Sequence, residues 1–432
     1  MKASHTFARR RAQRGIASLI IVMVLFFIAS MVAAYTSRNL IFEQRTSANQ
    51  YVSTQAMETA EAGIEWAIGM LNHGRIDANC VSSMVLTDTT FRERHLEVDA
   101  TDSYRIKRLT AGSPAQPAQA TCVWDGTAWD CACPTAADGV VLPTAPTGEG
   151  IFPAFRVRFI NTSTVQYPNV VRVESNGCTR LDEACLSFTG QGLSNEGRTV
   201  ARSLLAMASA LPRPPSAALT AGGNVNFTGN APLALLNVDA EVGGVTVRAA
   251  GNVNVDTGVL FSMPGTPGEL SLTANDLSLP STADSFFADV FNMWPVTQRH
   301  QPAAITLDCN AVACNAATVR GLAAQNPGRP IWLQGNLDID SGGDIGSAAS
   351  PVLLVIEGNL DFINDITIHG LVYVRSADWP TAGTGTVRGA VIAEGNVSGA
   401  GTPRIVYDRA LLESLRLSTG SFVRVPGGWR DF

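Results

Sequence analysis

Two triplets carry the residues of an acid protease: Asp256-Thr257-Gly258 in "VDTGV" and Asp340-Ser341-Gly342 in "IDSGG". Two carboxylates close enough to share one proton would let one act as base while the other stays protonated. Both triplets, however, begin five residues after the glycine of a Gly-Asn pair, so a repeated turn accounts for them without catalysis. Asp338, Asp340 and Asp344 have the spacing that opens a calcium loop. The twelfth position of that loop is Ala349 rather than a bidentate glutamate. These three aspartates remain a calcium candidate; no other metal and no cofactor is expected. Neither a phosphate-cradling glycine run nor a Ser-His-Asp arrangement occurs, and no enzymatic activity is expected.

Cysteine chemistry is the stronger signal. The eight cysteines are Cys80, Cys122, Cys131, Cys133, Cys178, Cys185, Cys309 and Cys314. In an exported chain an even number implies disulfides, although eight allow 105 pairings. Local closure costs the least chain entropy. Cys178 with Cys185 and Cys309 with Cys314 would staple short loops, and Cys122 with Cys131 or Cys133 would close the turn "VWDGTAWD". Zinc is the rival ligand, but no histidine lies near any of these cysteines and export favours oxidation.

These residues need elements to hold them. "SYRIKRL" (103–109), "AFRVRFI" (154–160) and "NVVRVES" (169–175) alternate apolar and polar side chains, as strands with one buried face do. A further strand is expected in "TVARSLLAMA", whereas 111–150, rich in Ala, Pro, Thr and Gly, reads as loop. "LPRPPSA" (211–217) has three prolines within four positions and marks a domain boundary. Beyond it, "GNVNF", "GNVNV", "GNLDI", "GNLDF" and "GNVSG" repeat Gly-Asn before an apolar residue, and "TIHGLVYV" is echoed by "TVRGAVIA". Gly and Asn tolerate left-handed backbone. Each pair can therefore turn the chain between short strands of a β-solenoid or a two-sheet sandwich.

The N-terminus decides the compartment. Lys2, Arg9, Arg10, Arg11 and Arg14 precede Gly15, and from Ile16 to Ala34 only Ser18 and Ser30 interrupt an apolar run. A helix of about 20 such residues crosses a bilayer core. The flanking arginines put residues 1–15 in the cytoplasm and everything after Arg38 outside. The formal charge of −6 becomes more negative once this basic segment is set aside, which argues against nucleic acid as a partner. No proline occurs from Ile16 to Asn72, and Met57, Ala60, Ile64, Ile68 and Leu71 recur three or four apart. One long helix with an apolar face is expected, ending at His73-Gly74; Glu58, Glu61 and Glu65 form a solvated face.

The basic leader ending in glycine before an uncharged helix resembles the class III signal of type IV pilins. "STQAMETAEAGIEWAIGMLN" (53–72) resembles the N-terminal region of PilX-type pilus assembly proteins. The resemblance implies cleavage by prepilin peptidase between Gly15 and Ile16, methylation of the Ile16 amine, and assembly with other minor pilins and the major pilin. It also implies passage from the inner membrane, with the C-terminal part in the periplasm, to the pilus. Most pilins carry glutamate at the fifth mature position, which is Ile20 here. Several minor pilins and the K-type pseudopilin of type II secretion share that absence, which suits a subunit at the tip, where an adhesin would be met. The expected fold is α+β. Residues 1–15 are the leader, 16–74 a pilin-like helix (transmembrane over 16–37), 75–211 a small antiparallel-sheet domain, 212–216 a linker and 217–432 an all-β repeat domain.

Overall fold

One unbroken helix, Arg14–Leu71, begins the structure. At 1.5 Å per residue its 58 residues span roughly 87 Å. The computed structural model describes residues 14–98, 106–109, 118–135, 138–148, 151–162, 169–188, 197–227, 234–256, 259–381, 383–399 and 403–430. The leader before Arg14 and Ser103–Arg105 of the first expected strand lie outside the described residues.

The last third of the helix packs on an antiparallel sheet. Across it run Gly420–Arg430, Arg198–Ser209, Val170–Cys178, Ala154–Asn161, Ala120–Trp124 and Trp129–Ala132. Ala56, Ala60, Ile64, Ala67 and Leu71 are fully buried against it. The buried stripe is therefore turned from the expected one, with Met57 and Ile68 only half-buried on its flank. The cause is close approach. A Cβ on Gly177 would lie 2.3 Å from the Ala56 carbonyl oxygen and 2.4 Å from the Ala60 nitrogen, and one on Gly63 would meet Ser175 Oγ at 2.2 Å. Only small side chains fit that contact.

The expected loop over 111–150 holds a hairpin instead, Ala120–Trp124 with Trp129–Ala132. Its turn is built by Asp125, whose carboxylate accepts from the Thr127 and Ala128 N–H groups at 2.7 and 2.8 Å, and by Gly126 at φ +107°. Small polar residues that suggested coil serve a tight turn. Of the expected strand at 103–109, the described part Ile106–Arg108 pairs with Leu96–Val98.

Residues from Leu219 to Tyr407 form a β-solenoid. Short strands stack in parallel register, as in Leu353↔Leu371↔Ala390 and Val355↔Tyr373↔Ile392, and the inward side chains make one continuous core. A sandwich of hairpin-linked strands would be antiparallel. The Gly-Asn pairs stand at the corners, but only Gly335 among their glycines has a positive φ, +143°. Glycine is needed there because adjacent coils touch. A Cβ on Gly223 would lie 2.4 Å from Asn396 Oδ1, on Gly251 2.3 Å from Asn224 Oδ1, and on Gly358 2.2 Å from Asn336 Oδ1. Those same oxygens accept N–H groups of the next coil: Asn224 N to Asn396 Oδ1 at 2.8 Å, Asn252 N to Asn224 Oδ1 at 2.9 Å and Asn359 N to Asn336 Oδ1 at 2.9 Å.

Chain order and stacking order differ. The chain lays down coils at 219–227 and 247–255, crosses by helices Ala283–Phe291 and Pro295–Arg299 to Ile305–Asp308 at the opposite end, and winds back. Val391–Ala393 finally pairs with Leu219–Ala221. Two expectations about 217–432 are corrected here. The region is not all-β, since it carries these two helices, Ala316–Gln325 and Arg409–Ser418. It is not a self-contained unit either, because Gly420–Arg430 leaves the solenoid and pairs with Arg198–Ser209 of the first sheet. The solenoid is thus an insertion between two neighbouring strands of that sheet.

Candidate assembly interface

The N-terminal half of the long helix touches nothing in this chain. Leu19, Ile20, Phe26, Phe27, Phe42 and Tyr51 are all more than half exposed, and packing starts only at Val52. An apolar surface of that extent is not left to water in a soluble protein. Ser18–Leu71 contains a stretch long and apolar enough to cross a membrane, with none of that stretch buried in the fold. Thr36 and Thr46 turn their hydroxyls back to the Val32 and Phe42 carbonyls at 2.9 Å, which satisfies these two donors within the helix. Gly15 and Ile16 lie in the first turn of the helix. Ile20 is 55% exposed.

The other end of the helix is tied to the returning strand Gly420–Arg430 and to the solenoid. Asn72 donates to the Phe422 carbonyl at 2.9 Å and accepts the Phe422 N–H at 2.8 Å. Arg92 is half-buried and donates to four carbonyls: Leu71 at 2.9 Å, Gly328 and Ser418 at 3.3 Å and Gly420 at 3.1 Å. Burial pushes its guanidinium down to about 10, with the neighbouring Arg329 charge adding to the effect, so it stays cationic at neutral pH and suits the negative end of the helix dipole. Arg75 adds a bond to the Ala324 carbonyl at 2.8 Å. The solenoid therefore sits at the end of the helix remote from the bare apolar half.

The cysteines meet in four pairs at bonding distance: Cys80–Cys133, Cys122–Cys131, Cys178–Cys185 and Cys309–Cys314. Sequence reasoning left Cys80 without a partner. Only the fold brings the segment after the helix beside the hairpin end, where Cys133 N donates to the Ala78 carbonyl at 2.8 Å.

The acidic candidates stay apart. Asp338 lies beside Asp361 of the next coil, whose carboxyl is raised by burial and by the Asp338 charge. Ser341 Oγ lies 3.5 Å from Asp340 Oδ1, and Asp344 Oδ1 accepts the Thr367 N–H at 2.9 Å. Among the described residues no group of three or more His, Cys, Asp or Glu side chains could hold a metal ion. Asp256 and Asp340 follow strands separated by five strand spacings along the solenoid, about 24 Å, so they cannot share a proton. Thr257 and Gly258 lie outside the described residues.

A long N-terminal helix, bare as far as Tyr51 and packed on an antiparallel sheet over its last third, is a pilin-like architecture. Residues 14–65 match the family model PilX N-terminal, so over that segment the chain is similar to PilX-type proteins and is type IV pilin-like. A search of curated proteins gives no match. Among solved structures, the crystal structure of the competence-associated pilin ComZ from Thermus thermophilus is similar at 11% identity over 88% of this chain and 97% of that one, with a TM-score of 0.20. So low a score carries no argument about this fold.

Proposed function

We propose that this chain is a minor pilin of a type IV pilus, acting in assembly or initiation and located at the tip. Prepilin peptidase cuts between Gly15 and Ile16, and the new amine is methylated. The bare helix first holds the chain in the inner membrane with the remainder in the periplasm, and then lies among the helices of other minor pilins and the major pilin. The observation that carries this reading is the division of one helix into an unpacked, largely apolar part up to Tyr51 and a last third embedded in a sheet. Ile20 supports tip placement. Without a carboxylate at the fifth mature residue, the chain cannot pair with the amine of a subunit beyond it, and an unpaired buried charge costs several kcal/mol. The solenoid, inserted at the far end of the helix, would then project outward for adhesion or contact with a tip adhesin. The second reading, a K-type pseudopilin of type II secretion, draws on the same residue and the large globular part.

Mass spectrometry of membrane-extracted protein should find a mature chain starting at methylated Ile16; a start after Ala34 would refute processing at Gly15. Antibody against residues 217–419 should label pilus ends, and dense labelling along the shaft would refute tip placement.

A further inference from the structure

The crossover helices leave a cavity of about 320 Å³ against the solenoid wall. Its floor is Trp332, fully buried and fixed by an Nε1–H bond to Gln298 Oε1 at 3.0 Å. Beside it stands Trp294, 57% exposed at the junction of the two helices. Its indole N–H has no hydrogen-bond partner among the described residues. A tryptophan buried for packing would hide its face and satisfy its N–H; Trp294 does neither.

Four charged side chains form the rim, and all are paired. Arg299 Nη1 donates to Glu357 Oε1 at 3.1 Å, and Arg375 Nη2 donates to Asp284 Oδ1 at 3.0 Å. Arg375 is further held by buried Glu394 at 3.0 Å. With two cations and two anions on the rim, an ionic ligand would meet as much like charge as opposite charge. An apolar side chain would strip water from four charged groups and return no hydrogen bond, which is costly. What the rim offers is the second oxygen of each carboxylate and the remaining guanidinium N–H groups, acceptors and donors side by side. A neutral ring with one face of C–H groups and an edge of hydroxyls meets both demands. Its C–H face lies on the electron-rich indole, and its hydroxyls bond the rim without disturbing the ion pairs. The volume is at the small end of ligand pockets, roughly 300–1,000 Å³, which suits one or two such rings.

We infer that the Trp294 pocket is a binding site for a neutral saccharide, with Trp294 as the stacking platform and Glu357 and Asp284 as hydroxyl acceptors. This gives chemical content to the adhesive role proposed above without resting on tip placement: binding is measured on the purified chain, and its failure is separate from failure of filament labelling.

The test is saturation-transfer NMR on the full chain, purified in a detergent without a sugar headgroup. The probes are the methyl glycosides of glucose, galactose and mannose, together with N-acetylglucosamine and, as the anionic comparison, glucuronate. At least one neutral sugar should bind with a millimolar dissociation constant. Trp294→Ala should weaken that binding about tenfold or more, with Trp294→Phe intermediate and Glu357→Gln weaker than the parent; circular dichroism checks that each variant is folded. Binding of none of the neutral sugars, binding unaffected by Trp294→Ala, or binding of glucuronate alone would overturn the assignment.

Discussion

Gly177 and Gly69 show how two glycines of one helix–sheet unit answer to different physics. The Gly177 Cα faces the helix backbone at Ala56 and Ala60, and any side chain must push the sheet away. A Cβ on Gly69 would meet nothing within 4 Å, and the residue sits in a helix, where glycine costs up to about 1 kcal/mol against alanine. Gly177→Val should therefore lower stability by about 1–3 kcal/mol or more, while Gly69→Ala should raise it by up to about 1 kcal/mol. Thermal melts of the detergent-solubilised chain, followed by far-ultraviolet dichroism, check both. A harmless Gly177→Val would mean that the helix does not rest on the sheet at this point. Ala56 and Gly63 were in view in the sequence, but periodicity counts large apolar residues and cannot see that a partner requires small ones.

At the scale of elements, the Gly-Asn corners are a ladder. Asn224 Oδ1 accepts the Asn252 N–H, while its own N–H bonds Asn396 Oδ1. Asn224→Ala should cost about 1 kcal/mol, the loss of one exposed hydrogen bond. Gly395→Ala should cost more, because a Cβ there would lie 2.0 Å from the Ala377 carbonyl oxygen, a backbone atom with no rotamer to yield. Chemical denaturation of the two variants gives the order, and an equal or reversed order would show that close approach is not what keeps glycine at the corner. The repeat itself was legible because stacked identical coils need identical corners. Its mechanism was not, since left-handed turns and close approach both select glycine and only the neighbouring coil separates them. The crossover helix Ala283–Phe291 was equally hidden: its Phe287 and Phe291 rings pack on Tyr373 at 5.1 and 5.3 Å, a partner several coils further along the chain.

For the whole molecule, the decisive feature is that the chain returns. Gly420–Arg430 closes the edge of the first sheet and carries Phe422 into its core, so a fragment ending at 432 takes with it a strand whose partner is missing. A fragment of residues 217–419 should melt cooperatively and stay monomeric, while 217–432 should aggregate through the unpaired strand. Sedimentation and thermal melts of the two fragments decide this, and a better-behaved 217–432 would show that the terminal strand belongs to the solenoid. In the full chain, the two strand connections together with Arg75 and Arg92, which donate to the Ala324 and Gly328 carbonyls, mount the solenoid on the helix end at several points.

By itself, the sequence determined what depends on near neighbours along the chain. The basic leader and apolar run follow from composition, the unbroken helix from the lack of proline, and the strands Ala154–Asn161 and Val170–Cys178 from alternation. The partnering of Cys178 with Cys185 and of Cys309 with Cys314 was expected from short loop closure. Only the tertiary structure decided what depends on segments meeting from far apart. It turned the buried stripe of the helix toward Ala56 and Gly63, joined Cys80 to Cys133, set the last coil of the solenoid on the first, and brought the C-terminal strand back to the first sheet. Local patterns record which face of an element is buried; the partner that buries it is chosen by packing among all the elements at once, and that choice leaves no periodic mark on the chain.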